Sequence, residues 1–311
     1  MPQRSMRFLV FASPKSGTTW LQRLLSAHPM VHCGETRLFG RHIDPSRPSG
    51  LGITLESYVE NLQRHFHAPR PAVPGGGSFQ HELMCDLADQ IARTTLRVSG
   101  KSIYGEKLTP YLGTASHALR QASRYSPRTR LIFLVRDGRD VVVSGAAQWN
   151  NLTRATTAAA PAAAGVDERY VEMFTQHWIE AACAYSEVGD EFDHTLLVRY
   201  EDMLADPEAQ AARLLQFIGA DASGQLVSEC VAAASFERLS GGRQRGDEDA
   251  SSFFRKGTAG DWRAKLSREQ AARFERVAGR WLRAYGYATT GEVRTEPKPA
   301  QATSPPALNA G

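Results

Sequence analysis

The chain has 311 residues, and its 37 Lys and Arg against 33 Asp and Glu leave a formal net charge of +4. That mild basic balance suits an anionic small ligand better than a nucleic-acid track, which a basic run would announce, and the 42% hydrophobic and 23% charged content is that of an ordinary globule of one or two α/β domains. Four widely spaced cysteines without a C-x-x-C pair argue against a metal knuckle or a disulfide framework and for reduced core thiols.

At the N-terminus, Arg4 and Arg7 precede an apolar run that is too short for a signal peptide, and no stretch reaches the roughly 18 apolar residues of a membrane span. A cytoplasmic protein is therefore expected. Residues Arg7 to Phe11 read as a buried parallel strand. Pro14 and Gly17 break it, and Leu21, Leu24 and Leu25 then recur at helical spacing. The backbone N–H groups of Ser16, Gly17, Thr18 and Thr19 thus fall at a helix N-terminus, where a phosphate can satisfy donors that the helix leaves unpaired. Lys15 adds a point charge, and Thr18 and Thr19 add hydroxyls. Lys15 precedes Gly17 and no glycine lies upstream, so the order is not that of an ATPase loop.

A short strand at Val31 to Cys33 leads to Gly34-Glu35. Residues 39–52 form a long loop, 54–62 a helix, 69–77 a breaker-rich link and 83–95 a further helix. Ser102 to Tyr104 reads as a short strand delivering Gly105, Glu106 and Lys107 to its C-terminal end, the side on which ligands collect in open α/β sheets. A helix over 116–123 precedes Leu131 to Val135, the strongest apolar run and a central parallel strand. Arg136 follows it, and Ser144 lies about two helical turns on. The two could share one anion, or Arg136 could pair with Asp140 as a loop clasp.

Thr153 to Gly165 is Ala/Thr-rich and reads as a mobile connection or lid. The helix from Asp167 to Tyr185 carries Val171, Phe174, Trp178, Ala181 and Tyr185 at core spacing, and Thr195 to Tyr200 forms another buried strand. Asp206-Pro207 starts a helix that Gly219 ends. The loop 241–252 leads into an irregular segment, Phe253 to Trp262, mixing cations, glycines and aromatics. Ser267 and Gln270 form a capping box for a last helix with Phe274, Val277, Ala278, Trp281, Leu282 and Tyr285 on its core face. Residues 291–311 read as a disordered tail behind a single domain over 1–290.

Three segments offer phosphate chemistry: Lys15 to Thr19, Arg136 with Ser144, and Arg255-Lys256-Gly257. Such a set needs a ligand with phosphates at two ends. Pro14 to Trp20, Arg136 to Asp140 with Ser144, Arg199 to Asp202 and Arg255 to Trp262, in that order, resemble the signature of the sulfotransferases that use PAPS, adenosine 3′-phosphate 5′-phosphosulfate. The resemblance covers roughly residues 7 to 285. It implies a P-loop-like α/β fold, a central parallel sheet flanked by helices, and transfer of a sulfuryl group from PAPS to a hydroxyl, or less often an amine, without a metal. By the same resemblance Lys15, Ser16, Gly17, Thr18 and Thr19 hold the 5′-phosphosulfate. Arg136, Ser144, Arg255, Lys256 and Gly257 hold the 3′-phosphate, and Trp20, Tyr200 and Phe236 lie beside the adenine.

Glu106-Lys107 is similar to the glycan-modifying branch, which makes Glu106 the general base and Lys107 its helper cation, with His81 as the competing base. The acceptor is a small molecule, lipid or glycan, in a pocket drawn from Gly34 to Pro74, His81 and 153–165. A kinase-like phosphotransferase and a non-catalytic PAPS- or nucleotide-binding protein are the alternatives.

Overall fold

The computed structural model describes residues 6–36, 38–40, 79–156 and 166–290. The expectations for 41–78, 157–165 and the tail 291–311 lie outside the described residues.

Strand β1, Met6–Phe11, is apolar on both faces, and Phe8 through Phe11 are fully buried, as a middle strand between two helical layers requires. Its neighbours are β3, Ile103–Leu108, and β4, Arg130–Val135. The edges are β2, Val31–Gly34, and β5, Thr195–Arg199. All five are parallel, in the order β2-β3-β1-β4-β5.

The two faces of the sheet make two separate cores. On one, Phe8 and Val10 pack with Leu21, Leu24 and Leu25 of α1, Thr18–Ala27. Behind them lie α6, Tyr200–Ala205, α7, Pro207–Ile218, and α8, Gly224–Ala233, through Met203, Leu214 and Val227. On the other, Leu9 and Phe11 pack toward four helices. These are α2, Phe79–Ser99, α3, Ala115–Tyr125, α4, Gly138–Thr156, and α5, Glu168–Val188. Short helices α9, Phe236–Ser240, and α10, Trp262–Lys265, precede the last, α11, Arg268–Ala284, which closes that layer with Phe274, Trp281 and Leu282.

Local signals fix several boundaries. The Asp206 side chain accepts from Ala209 N–H, Pro207 opens α7, and Gly219 ends it at φ 76°. Ser267 and Gln270 form the reciprocal capping box of α11. Lys101 Nζ donates to the carbonyls of Ser26, His28 and Val31, satisfying the C-terminal end of α1.

Several boundaries differ from the sequence expectations. Strand β3 does not stop at Tyr104, because its ladder with β1 continues through Glu106 and Lys107 to Leu108. Tyr200 opens α6 rather than ending β5. Helix α2 extends well past 83–95 at both ends, and α4 begins before Val141 and runs through Thr156, so 153–156 belong to a helix. On α11, Val277 is 53% exposed, since the core face is narrower than its apolar residues suggest.

Candidate active site

A cavity of about 690 Å³ opens at the C-terminal ends of β1, β3 and β4. The chain enters it between β1 and α1 with two left-handed residues, Lys15 at φ 70° and Gly17 at φ 98°. A lysine held at positive φ is strained backbone of the kind found at ligand clamps. Gly17 tolerates no side chain, because a Cβ there would lie 2.6 Å from Tyr200 Cδ2. The same holds at Gly257, at φ 70°, where a Cβ would run into the Phe236 ring. Tyr200 and Phe236 thus serve as flat walls against which two glycine turns close.

Cations converge on this cavity from all three phosphate segments. Lys15, Lys107, Arg136, Arg245, Arg255 and Lys256 line it. Burial, then Arg136, Arg255 and Lys107, lower the Lys15 ammonium from its ordinary 10.5 to about 8. Its Nζ donates to Gln148 Oε1 and lies 4.4 Å from the centroid of the Phe253 ring. Arg136 donates to Lys15 O at 3.3 Å and Thr258 O at 3.0 Å, and stacks 4.4 Å from the Tyr200 ring centroid. It also stands 3.8 Å from Asp140, so the loop clasp and the cavity position hold together. Trp178 Nε1 pins the Arg136 carbonyl at 2.9 Å from the core side.

Three buried polar atoms here have no protein partner: Ser16 Oγ, Arg136 Nε and Arg255 Nε. Buried donors left without partners are rare, and a bound anion would supply what these lack. At the far end, Trp20 meets Tyr200 edge-on at 5.5 Å, and Arg245 lies over Trp20 at 5.2 Å.

Every residue expected to bind phosphate or adenine lines the cavity except Ser16, whose buried hydroxyl lies between lining residues Lys15 and Gly17. The expected bases fare differently. Glu106 and Lys107 are neighbours in a pleated strand and point to opposite faces. Lys107 faces the cavity, bound to Glu35 Oε2 at 2.7 Å and Thr19 Oγ1 at 3.3 Å. Glu106, only 3% exposed, accepts from Thr36 N–H and Thr36 Oγ1, each at 3.0 Å, and from the Tyr104 hydroxyl. Burial pushes its carboxyl up. His81, on α2, packs against Tyr125 and Cys85. Neither Glu106 nor His81 is among the described residues lining the cavity, whereas Glu35 is, with a side chain 34% exposed. Sequence reasoning missed Gln148 and Arg245 and placed Glu35 only within the stretch expected to build the acceptor pocket, without a catalytic role, although Glu35 directly follows a parallel strand, the position that drew attention to Glu106.

A parallel α/β sheet with a strained Lys-Ser-Gly turn, a cation-lined cavity and unpaired buried donors defines a protein built to hold an anion with separated charges. The family model described as "Sulfotransferase domain" matches residues 5–286, and the chain belongs to that family. Rat sulfotransferase 1C2 is 23% identical over 288 residues, covering 86% of this chain and 80% of that one. Rat sulfotransferase 2A1 is 29% identical over 175 residues, 50% of this chain and 57% of the relative, so that match spans little more than half of the relative's length. Among solved structures, mouse sulfotransferase SULT7A1 complexed with PAP superposes with a TM-score of 0.55 at 16% identity, covering 90% of this chain and 85% of that one. The sulfotransferase domain of a Synechococcus olefin synthase gives 0.51 at 19% identity, covering 89% and 96%. At these identities the likeness is one of fold. Among the described residues no helix is long and apolar enough to cross a membrane, and no cluster of metal-binding side chains occurs.

Proposed function

We propose that this protein transfers the sulfuryl group of PAPS to a hydroxyl, or less often an amine, of a small-molecule, lipid or glycan acceptor, releasing adenosine 3′,5′-bisphosphate (PAP). Residues 1–290 act as one domain in this reading, in the cytoplasm, where its free cysteines stay reduced. The observation that carries the reading is the convergence of three cationic segments on one cavity with three buried polar atoms unpartnered. PAPS fits that inventory, with charge at both ends of an adenosine and aromatic walls between. Lys15 through Thr19 would hold the 5′ end, and Arg136, Ser144, Arg255, Lys256 and Gly257 the 3′-phosphate. Trp20, Tyr200 and Phe236 would flank the base.

The transfer is an in-line displacement. The acceptor oxygen gives up its proton to a carboxylate and bonds to sulfur, while the bond from sulfur to the bridging phosphate oxygen breaks. Negative charge grows on that oxygen, and a cation there acts more strongly in the transition state than in the ground state. Lys15 is assigned this part, its ammonium crowded by other cations until an anion arrives.

For the base we assign Glu35 rather than Glu106 or His81. Glu35 presents its carboxylate to the cavity beside Lys107, the helper cation. Glu106 acts one step behind, since its two bonds to Thr36 hold the segment that carries Glu35.

The test supplies labelled PAPS to a panel of hydroxylated acceptors and reads label in product together with PAP. Phosphate transfer from ATP with magnesium in place of sulfuryl transfer would identify a kinase-like phosphotransferase. Tight PAP binding without turnover on any acceptor would identify a binding protein.

A further inference from the structure

Asp140 lies in the first turn of α4, 1% exposed, and is not among the residues lining the cavity. A carboxylate there commonly serves its own helix. Here both oxygens are spent elsewhere. Oδ2 accepts from Gly260 N–H at 2.6 Å and Oδ1 from Trp262 N–H at 2.9 Å, on a segment 120 residues later in the chain. The same carboxylate stands 3.8 Å from Arg136 Nη2, and Arg136 in turn donates to Thr258 O at 3.0 Å.

Between the two clamped amides lies Asp261, which binds Arg255 Nη2 at 2.5 Å and Lys256 Nζ at 2.7 Å. A chain of contacts therefore runs from Asp140 through the backbone of 260–262 to Asp261, and from there to both cations of the third phosphate segment. Arg139, next to Asp140, stacks 3.8 Å from the Trp262 ring centroid and seals the far end.

We propose that Asp140 is the positioning residue of the 3′-phosphate subsite, setting the spacing between Arg136 on one side and Arg255, Lys256 and Gly257 on the other. This rests on the PAPS reading above. A buried carboxylate that accepts from two backbone donors, one on each oxygen, cannot be replaced by an amide without leaving one donor facing another. The loss falls mainly on ligands that carry a 3′-phosphate, because both backbone amides that Asp140 holds belong to the segment bearing Arg255 and Lys256, whereas its link to the Lys15 turn passes only through Arg136.

The experiment measures binding of PAP and of adenosine 5′-monophosphate to the full chain by calorimetry, in wild type and Asp140→Asn. Wild type is expected to prefer PAP. In D140N, PAP binding weakens about tenfold or more while adenosine 5′-monophosphate changes less than about twofold. Equal loss for both nucleotides, as a merely structural role would give, or unchanged PAP binding overturns the inference and leaves the PAPS reading intact. A wild type indifferent to the 3′-phosphate overturns both. A second measurement needs no variant: hydrogen exchange in the 258–262 segment of wild type should slow when PAP is added and not when adenosine 5′-monophosphate is, and identical exchange with the two ligands overturns the inference.

Discussion

Lys107 Nζ lies 2.7 Å from Glu35 Oε2 at the cavity, while Glu106, adjacent to Lys107 in sequence, holds its carboxylate against Thr36 on the opposite face of the strand. Two acidic residues that look equivalent as strand-end groups are therefore separated by the sheet. Of the two, Glu35 is the one that lines the cavity among the described residues.

It follows that Glu35→Gln lowers turnover about 100-fold or more with PAP binding retained, because a general base contributes on that order. Glu106→Gln should keep more than about a tenth of turnover, since the amide oxygen can still accept from Thr36. Steady-state kinetics on both variants decides the matter. Collapse in E106Q with near-normal turnover in E35Q would return the base to Glu106.

Lys15 gives the site a pH dependence. Its folded-state pKa of about 8 is below the ordinary 10.5, so its charge is lost as pH rises through about 8 in the free protein. An anion favours the charged form, so PAP affinity should be flat below that pH and fall above it by up to about tenfold per unit. Calorimetry across pH 6.5 to 9.5 reads this out, and Lys15→Met should remove the slope along with most of the turnover. An affinity unchanged to the alkaline limit in wild type contradicts this placement of Lys15.

The glycine turn offers a structural test. In Gly17→Ala the new Cβ must adopt φ 98° and meet Tyr200 at 2.6 Å. The left-handed conformation alone costs about 1–2 kcal/mol. Gly241, at φ 78° with nothing within 4 Å, isolates that backbone cost. G17A should therefore lose more stability than G241A and also lose PAP binding, measured by thermal melting with and without PAP. Equal losses in the two variants would show that the approach of Tyr200 is immaterial.

Trp178 connects the core to the site. The side chain is 2% exposed, and its indole N–H binds the Arg136 carbonyl. Trp178→Phe keeps most of the apolar contact and leaves that carbonyl unpaired, for a loss of about 1–3 kcal/mol, against about 3–5 kcal/mol for Trp178→Ala. Denaturant unfolding measures both. W178F should also weaken PAP more than adenosine 5′-monophosphate, since the displaced residue is Arg136.

Much of this was legible along the chain because it is local. The apolar run into Lys15-Ser16-Gly17 marked β1 and the turn after it, Asp206-Pro207 and Gly219 marked the ends of α7, and Ser267 with Gln270 marked the start of α11. The three cationic segments were each visible within a few residues of one another along the chain, and so was the order that relates them to the sulfotransferases. Such features depend on φ preferences, capping and side-chain spacing within a few residues, which the sequence carries without reference to the rest of the molecule.

The direction each polar side chain faces was settled elsewhere. A reading that ended β3 at Tyr104 left Glu106 and Lys107 free to share a site; the ladder with β1 carries the strand on to Leu108, and the pleat then sends the two to opposite faces. The partnership of Asp140 with Gly260 and Trp262 likewise joins residues 120 apart in the chain. Sequence alone determined which residues carry charge at the strand ends. Tertiary structure decided which of them meet, because strand length, register and loop docking are fixed by pairing between distant segments.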